Sequence, residues 1–185
     1  MPINKNRKIL FIHIPKNAGS SIAKTLDMKA NWKIKNLDVM YGIDENQVVL
    51  QSLPLEYFSN YIDQKLIDKC QKITVVRNPY DRVLSDYSWN NRGFCTILDF
   101  LKFIKQNINK DKKELIKLNK YYTNHILPQS EYIKCEKNKI DKIFYFERLN
   151  KDFFDFYKIK LLHINSKPHQ KWEEFYKNKP EEIYL

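Results

Sequence analysis

The chain has 185 residues, and its 33 Lys and Arg against 22 Asp and Glu give a formal net charge of +11 at pH 7. A hydrophobic content of 43% is enough to build a core, which excludes a wholly disordered chain, and a mean hydropathy of −0.62 excludes a protein made of membrane-spanning helices. We therefore predict one compact domain over residues 1–185.

The three cysteines, Cys70, Cys95 and Cys135, are odd in number and far apart. This spacing favours reduced thiols over a disulfide framework or a structural zinc site. The apolar stretch 9–14 near the start of the chain is too short for a signal peptide. We expect a cytoplasmic protein with no membrane span and no bound metal.

The basic composition, with a pI of about 9.4, favours anionic partners, although it is equally typical of a solvated surface. No zinc-finger or RNP motif accompanies the charge, so nucleic acid is not the expected partner.

The first clear unit is a strand, a loop and a helix. The apolar run 8–14 predicts a strand that is covered on both faces, as in a parallel sheet, and a loop follows over 15–19. A helix is predicted from Ser20, with Ser20 and Ser21 as candidates for its N-cap.

A second unit of the same kind follows. Residues 72–77 predict a strand, Asn78 suits the N-cap of a helix, and Pro79 suits its first position. The helical pattern continues to about Trp89. Weaker patterns predict a strand at 47–50, one or two helices within 96–121, a strand at 143–146 and a helix at 152–157. Strands that alternate with helices predict an α/β fold.

The first loop reads Pro15-Lys-Asn-Ala-Gly-Ser-Ser21 and contains one of only three glycines. Gly19 allows close approach of the backbone to a ligand, and the start of a helix offers N–H groups with partial positive charge. Lys16 adds a mobile cation beside them. This combination predicts a phosphate or sulfate cradle, although the lysine precedes the glycine, unlike the order of the common nucleotide loop.

The second loop again places a cation where a strand ends and a helix begins. Ser85 lies about two helical turns beyond Asn78, so its hydroxyl faces the same side as the cap. A guanidinium from Arg77 and a hydroxyl from Ser85 that converge on one anion would bind a second phosphate well.

These two loops resemble those of a known family. Phe11-Ile-His-Ile-Pro-Lys-Asn-Ala-Gly-Ser-Ser-Ile22 is similar to the 5′-phosphosulfate loop, and Val75-Val-Arg-Asn-Pro-Tyr-Asp-Arg-Val-Leu-Ser-Asp-Tyr87 to the 3′-phosphate motif, of the sulfotransferases that include heparan sulfate 2-O- and other carbohydrate sulfotransferases. Weaker similarities follow at 125–132, 144–153 and 163–167, so the resemblance covers nearly the whole chain.

The resemblance implies a P-loop-NTPase-like three-layer α/β domain with a central, mainly parallel sheet flanked by helices. It implies in-line transfer of a sulfuryl group from 3′-phosphoadenosine 5′-phosphosulfate (PAPS) to an acceptor hydroxyl, such as that of a carbohydrate, or to an amine, without a metal. By position, the 5′-phosphosulfate would be held by Lys16 and by the backbone of Asn17, Ala18, Gly19, Ser20 and Ser21, with hydroxyls added by Ser20 and Ser21. The 3′-phosphate would be held by Arg77 and Ser85.

The catalytic residues implied are Lys16, which would stabilise charge on the leaving group, and a general base. His125 is the first candidate for the base because it lies in a family-like segment, whereas His13 would either line the site or pack in the core. The alternative is a catalytically inactive, sulfotransferase-like protein that binds a nucleotide or a polyanion. The sequence leaves open the acceptor, which is a small molecule or a glycan, and the oligomeric state.

Overall fold

The computed structural model describes residues 2–28, 30–89, 93–119, 122–164 and 173. Within these ranges four strands form one sheet in the order β1-β2-β3-β4. β1 is antiparallel to β2, whereas β2 with β3 and β3 with β4 are parallel pairs. The chain therefore has the mixed α/β architecture and the mainly parallel sheet that the sequence predicts. The strands are β1 (Ile3–Asn4), β2 (Ile9–Ile12), β3 (Gln71–Val76) and β4 (Lys142–Tyr145).

Strand β2 shows why both faces of the sheet are covered. Its four side chains are all buried, and successive side chains of a strand point to opposite faces. Ile9 and Phe11 pack into one apolar cluster, and Leu10 and Ile12 into another. The first cluster also contains side chains of α1 (Gly19–Thr25) and α7 (Leu149–Tyr157), and the second contains side chains of α2 (Gln64–Lys69) and α6 (Gln129–Ile133).

The second strand–loop–helix unit folds as predicted. Strand β3 leads into α3 (Pro79–Trp89), and the side-chain oxygen of Asn78 accepts a hydrogen bond from the backbone N–H of Tyr80 at 2.9 Å. Asn78 is therefore the cap, and the helix begins at the proline because the ring already holds the required backbone angle.

The strand predicted at 47–50 is wrong, because the region forms a turn and isolated bridges. Gln47 adopts a left-handed conformation with φ of 63°. The Asp44 carboxylate accepts hydrogen bonds from the N–H groups of Asn46 and Val48 at 2.9 and 2.7 Å. Such an aspartate-stabilised turn removes the extended conformation that the apolar run 48–50 would otherwise take.

The helical region 96–121 contains two helices, α4 (Ile97–Asn107) and α5 (Lys112–Leu115), and residues 120 and 121 lie outside the described ranges. Thr96 and Asp99 form a reciprocal capping box at the start of α4. The last predicted helix is confirmed as α7, which begins three residues earlier than predicted and directly follows a short 3-10 turn.

A buried arginine ties these elements together around the ends of the strands. Arg82 on α3 donates to three backbone carbonyls, those of Pro15 at 3.1 Å, Leu127 at 3.1 Å and His125 at 2.6 Å. The first carbonyl belongs to the loop after β2, and the other two belong to the segment before α6. The Arg82 guanidinium thus holds α3, the loop after β2 and the segment before α6 against each other.

Arg82→Lys should lower the free energy of unfolding by about 3 kcal/mol, because an ammonium cannot reach three divergent carbonyls and each buried carbonyl left without a donor costs about 1–3 kcal/mol. Urea unfolding measures this change. Arg7→Lys is the matched control, since Arg7 pairs with Asp27 at 3.3 Å on the exposed surface, where such pairs contribute less than about 1 kcal/mol. Equal losses of unfolding free energy in Arg82→Lys and Arg7→Lys would contradict the structural role of Arg82.

Candidate functional site

A cavity of about 1020 Å³ opens beyond the carboxyl ends of the parallel strands. This is the end of an open α/β sheet where ligands bind, because the loops that follow the strands meet there. Both predicted loops line the cavity, and so does the predicted base His125. The predicted residues in its wall are Lys16, Ala18, Gly19, Ser20, Ser21, Arg77, Ser85 and His125.

The first loop holds two residues in unusual backbone conformations. Lys16 has φ of 70° and Ala18 has φ of 60°, both in the left-handed region that residues with a side chain rarely adopt. Each such residue costs about 1–2 kcal/mol, so surrounding contacts must hold the loop in place.

Asn17 supplies those contacts. It is completely buried, and its side-chain amide donates to the carbonyl of Val75 at 2.8 Å and to Oε1 of Gln129 at 2.7 Å. Its backbone N–H donates to the carbonyl of Ile14 at 3.3 Å. These donors anchor the loop on β3, on Gln129 and on Ile14. That the backbone of Asn17 helps to hold the 5′-phosphosulfate stays a prediction.

Gln129 joins the two loops and was not identifiable from its residue type alone. Besides its bond to Asn17, Oε1 of Gln129 accepts from the N–H of Arg77 at 3.0 Å, and Nε2 donates to the carbonyl of Arg77 at 2.8 Å. The amide therefore pairs with the backbone where β3 ends. The only sequence signal is its position after Pro128, in the family-like segment 125–132.

The two serines do not cap α1. Ala18 occupies the N-cap position, and the helix begins at Gly19, one residue earlier than predicted. Ser20 lies in the cavity wall. The hydroxyl of Ser21 accepts a hydrogen bond from the N–H of Ile164 at 3.2 Å, which links α1 to the segment after α7. Left-handed Ala18 reverses the chain without a side-chain cap, and this places both serines inside the first turn.

Gly19 is required by a neighbouring histidine. A Cβ at this position would lie only 1.7 Å from Nε2 of His13, so the imidazole occupies the space that any other side chain would need. The His13 ring stacks on Phe11 with 5.6 Å between the ring centres and lines the cavity. Burial, together with the nearby positive charge of Lys16, lowers the pKa of His13 to about 3, so the ring is neutral at neutral pH.

Arg77 connects the second loop to the first. Its guanidinium donates to the carbonyl of Lys16 at 3.1 Å and lies over the ring of Phe146 at 4.1 Å. Burial lowers the pKa of Arg77, whereas the nearby carboxylates of Asp81 and Glu147 raise it. The residue is 7% exposed and lines the cavity, so it supports the loop and places a positive charge in the wall.

His125 forms a buried pair with Asp86. Nδ1 of the imidazole lies 2.6 Å from a carboxylate oxygen of Asp86, and the two side chains are 12% and 5% exposed. Because the carboxylate accepts, Nδ1 carries the proton, which leaves Nε2 as the ring's acceptor. The sequence did not identify Asp86 as the partner of this histidine.

One aromatic side chain lies beside both predicted catalytic groups. The ammonium of Lys16 is 4.6 Å from the ring centre of Trp89, and the His125 ring stacks on the same indole at 5.4 Å. Arg82, Ser85, Asp86 and Trp89 are spaced three, four and seven residues apart on α3. That spacing defines one face of a helix, and it is the sequence signal that could have found Asp86 and Trp89.

A model of the sulfotransferase family matches residues 1–182. The chain belongs to the sulfotransferase family. Searches of the curated proteins and of the solved structures returned no significant match to this sulfotransferase chain. The weaker family-like segment 163–167 lies outside the described residues beyond Ile164.

Two further observations concern only the described part of the sulfotransferase chain. None of its helices has the length and the apolar character that crossing a bilayer requires. No three His, Cys, Asp or Glu side chains there gather into a group that could hold a metal ion.

Gly19→Ala should lower the free energy of unfolding by about 2–3 kcal/mol, because the new methyl group overlaps the His13 ring and forces it to move. The double variant Gly19→Ala/His13→Ala should show a smaller loss than the sum of the two single variants, since removal of the ring opens the space. Urea unfolding of all four proteins measures the coupling.

Gly93→Ala serves as the control for this cycle. Gly93 has φ of 81° and nothing within 4 Å of an added Cβ, so only backbone strain opposes the substitution. Strict additivity of the Gly19 and His13 substitutions would show that the two residues are not in contact.

Proposed function

We propose that this sulfotransferase transfers a sulfuryl group from PAPS to an acceptor hydroxyl or amine. The observation that carries the proposal is a single cavity whose wall contains the first loop, Arg77 with Ser85, and His125 paired with Asp86. The cavity thus contains Lys16 and Arg77 as cations for the phosphates of the donor, and His125 as a base for the acceptor.

The first loop suits the 5′-phosphosulfate end of the donor. The N–H groups of Ala18, Gly19 and Ser20 belong to the start of α1, where no preceding helical turn supplies carbonyl acceptors. Lys16 lies next to them with its ammonium on the face of Trp89, a contact that an anion can replace. These donors and this cation match an anionic sulfonate and phosphate.

Arg77 and Ser85 suit the 3′-phosphate. Both line the cavity, one from the end of β3 and the other from two turns into α3. The planar guanidinium offers N–H groups to phosphate oxygens, and Phe146 fixes its plane. Because Arg77 also supports the carbonyl of Lys16, binding at the 3′-phosphate stabilises the loop that holds the 5′ side.

The donor would supply the sulfuryl group and, on departure, a phosphate oxygen that gains negative charge. Lys16 and the N–H groups of the loop are already positioned to stabilise that charge. Electrostatic stabilisation by such preorganised groups is usually the largest single contribution to catalysis. Nε2 of His125 takes the proton from the acceptor as its oxygen or nitrogen attacks. Asp86 holds the ring in the tautomer that leaves Nε2 able to do so.

The bisphosphate product PAP should bind the wild-type chain far more tightly than AMP, because AMP lacks the 3′-phosphate. Arg77→Ala and Ser85→Ala should weaken PAP, the former by about 10- to 100-fold, the range for charge-assisted hydrogen bonds. AMP affinity should stay nearly constant in Ser85→Ala and should fall by less than PAP affinity in Arg77→Ala, which also loses the support of the Lys16 carbonyl. Isothermal titration calorimetry measures all of these constants, with Arg7→Ala as the exposed control.

Titration with AMP separates the two roles of Arg77, which are contact with the 3′-phosphate and support of the first loop. If Arg77→Ala only collapsed the first loop, the affinities for PAP and AMP would fall by the same factor, and Ser85→Ala would bind both normally. Absence of PAP binding to the wild-type chain would overturn the donor assignment. PAP binding without any transfer to a broad set of alcohols, amines and glycans would instead point to an inactive nucleotide-binding protein.

His125→Ala should lower turnover by about 10²- to 10⁴-fold, the usual contribution of a general base, while PAP affinity stays unchanged. Asp86→Asn should lower turnover by about 10- to 100-fold, because the amide no longer holds the ring in the required tautomer. The measurement is initial rate with PAPS and an acceptor found by the screen. Ser88→Ala, an exposed hydroxyl on the same helix, is the control. Wild-type turnover in His125→Ala would remove His125 from the mechanism.

A further inference from the structure

One side of the cavity has no part in the proposed binding of the donor. It is formed by uncharged residues from 41–52 and 118–124, and we call it the neutral wall. Its described members are Tyr41, Ile43, Val49, Gln51, Ser52, Leu118, Tyr122 and Asn124. The Lys, Arg and Glu side chains that the structure describes in the cavity lie on other segments, namely Lys16, Arg77, Glu147, Arg148 and Lys151.

Hydrogen bonds join the two segments of the neutral wall. The backbone N–H of Leu118 donates to the carbonyl of Gln47 at 2.6 Å. The side-chain amide of Asn124 donates to the hydroxyl of Ser52 at 3.0 Å, and both residues are buried. The two segments therefore form one continuous surface.

The neutral wall adjoins the groups proposed to carry out the transfer. Asn124 directly precedes His125, the proposed base. The backbone of Gln51 contacts the imidazole of His13, which fills the space over Gly19 in the first loop. An acceptor that reaches both the base and a donor held by the first loop would lie against this wall.

Tyr41 gives the neutral wall a hydroxyl that points into the cavity. The residue is 6% exposed and lines the cavity. Its hydroxyl makes no hydrogen bond with a described residue, yet it is not one of the polar atoms sealed from solvent. Burial raises the pKa of Tyr41, so the phenol keeps its proton at neutral pH. An uncharged O–H donor is thus open to a ligand.

Gln51 adds a second uncharged donor. Its Oε1 accepts a hydrogen bond at 3.0 Å from the N–H of Gly42, the residue after Tyr41. This bond fixes the amide and leaves the two N–H groups of Nε2 without an acceptor among the described residues. Apolar surface with a few fixed polar groups is typical of sites for small uncharged ligands.

An anionic acceptor fits this wall badly. A charge that is taken out of water needs an opposite charge or several hydrogen bonds, and Ile43, Val49 and Leu118 offer neither. The donor at the adjoining loop is itself anionic and would repel a second anion.

We propose that the neutral wall binds the acceptor, and that the acceptor is an uncharged alcohol or glycoside with an apolar face, not an anionic glycan. Tyr41 donates its O–H to a polar group of the acceptor other than the reacting hydroxyl. The proposal rests on the proposed function. In the transfer, the acceptor oxygen forms a bond to sulfur, the bond from sulfur to the phosphate oxygen breaks, and the acceptor's proton goes to Nε2 of His125.

The test compares nearly isosteric compounds that differ in charge. Calorimetric titration of the PAP-saturated chain measures acceptor binding without turnover. The alcohols are 4-(hydroxymethyl)benzoate and its primary amide, and the glycosides are phenyl glucuronide and its primary amide. In at least one series the amide should bind at least about tenfold more tightly than the carboxylate, and that series identifies the acceptor as an alcohol or a glycoside.

Two outcomes of this titration would overturn the proposal. One is a carboxylate that binds as tightly as its amide in both series, and the other is failure of all four compounds to bind the PAP complex. Wild-type protein that does not bind PAP would instead refute the proposed function, before any acceptor is compared.

Leu118→Lys should shift the ratio of affinities towards the carboxylates by at least about tenfold. Leu118 is half-buried, so the stem of a lysine can lie on the apolar surface while its ammonium enters the cavity. Leu37→Lys is the matched control, because Leu37 is 39% exposed and does not line the cavity. The same ratio in both variants would contradict the placement of the acceptor.

Tyr41→Phe should weaken the amide by about 2- to 10-fold, the effect of one uncharged hydrogen bond, and leave PAP affinity unchanged. Tyr145→Phe is the control, since Tyr145 is half exposed and outside the cavity wall. Unchanged binding of the amide to Tyr41→Phe would overturn the role of Tyr41.

Discussion

The geometry of the cavity depends on Arg82, a buried cation whose hydrogen bonds go to backbone carbonyls of two separate stretches of chain. A guanidinium is suited to this position because it stays charged when buried and spreads its donors in a plane. Pro15 and His125 are thereby fixed to the same helix. The loop after β2 and His125 therefore keep a constant separation, which the proposed in-line transfer would need because small displacements of reacting groups slow a reaction strongly.

A second set of contacts couples the two loops that follow β2 and β3. Asn17 and Gln129 connect the first loop to the end of β3, and the guanidinium of Arg77 donates a hydrogen bond to the carbonyl of Lys16. The strained backbone at Lys16 and Ala18 persists because these contacts outweigh its cost. The residues predicted to bind phosphate are therefore also structural parts of the two loops.

Local signals account for what could be predicted. The β2 and β3 strands, the Asn78 cap and the position of both loops follow from apolar runs and helix-start residues that act within a few positions of each other. The strand expected at 47–50 was wrong because the Asp44 turn, a short-range competitor, prevails over apolar character. The capping role of the serines was wrong because left-handed Ala18 starts the helix. No propensity predicts that conformation, since it is imposed by contacts with distant segments.

The sequence by itself determined the α/β class, the sulfotransferase family and eight residues of the cavity wall, because these depend on hydrophobic periodicity and on two contiguous motifs. Only the tertiary structure decided which partners those residues contact. Asn17 faces the sheet, Asp86 meets His125 across 39 positions of sequence, and His13 fills the space above Gly19. Each of these relations joins side chains from separate elements. Such relations are set by how the helices and strands pack, which no local pattern records.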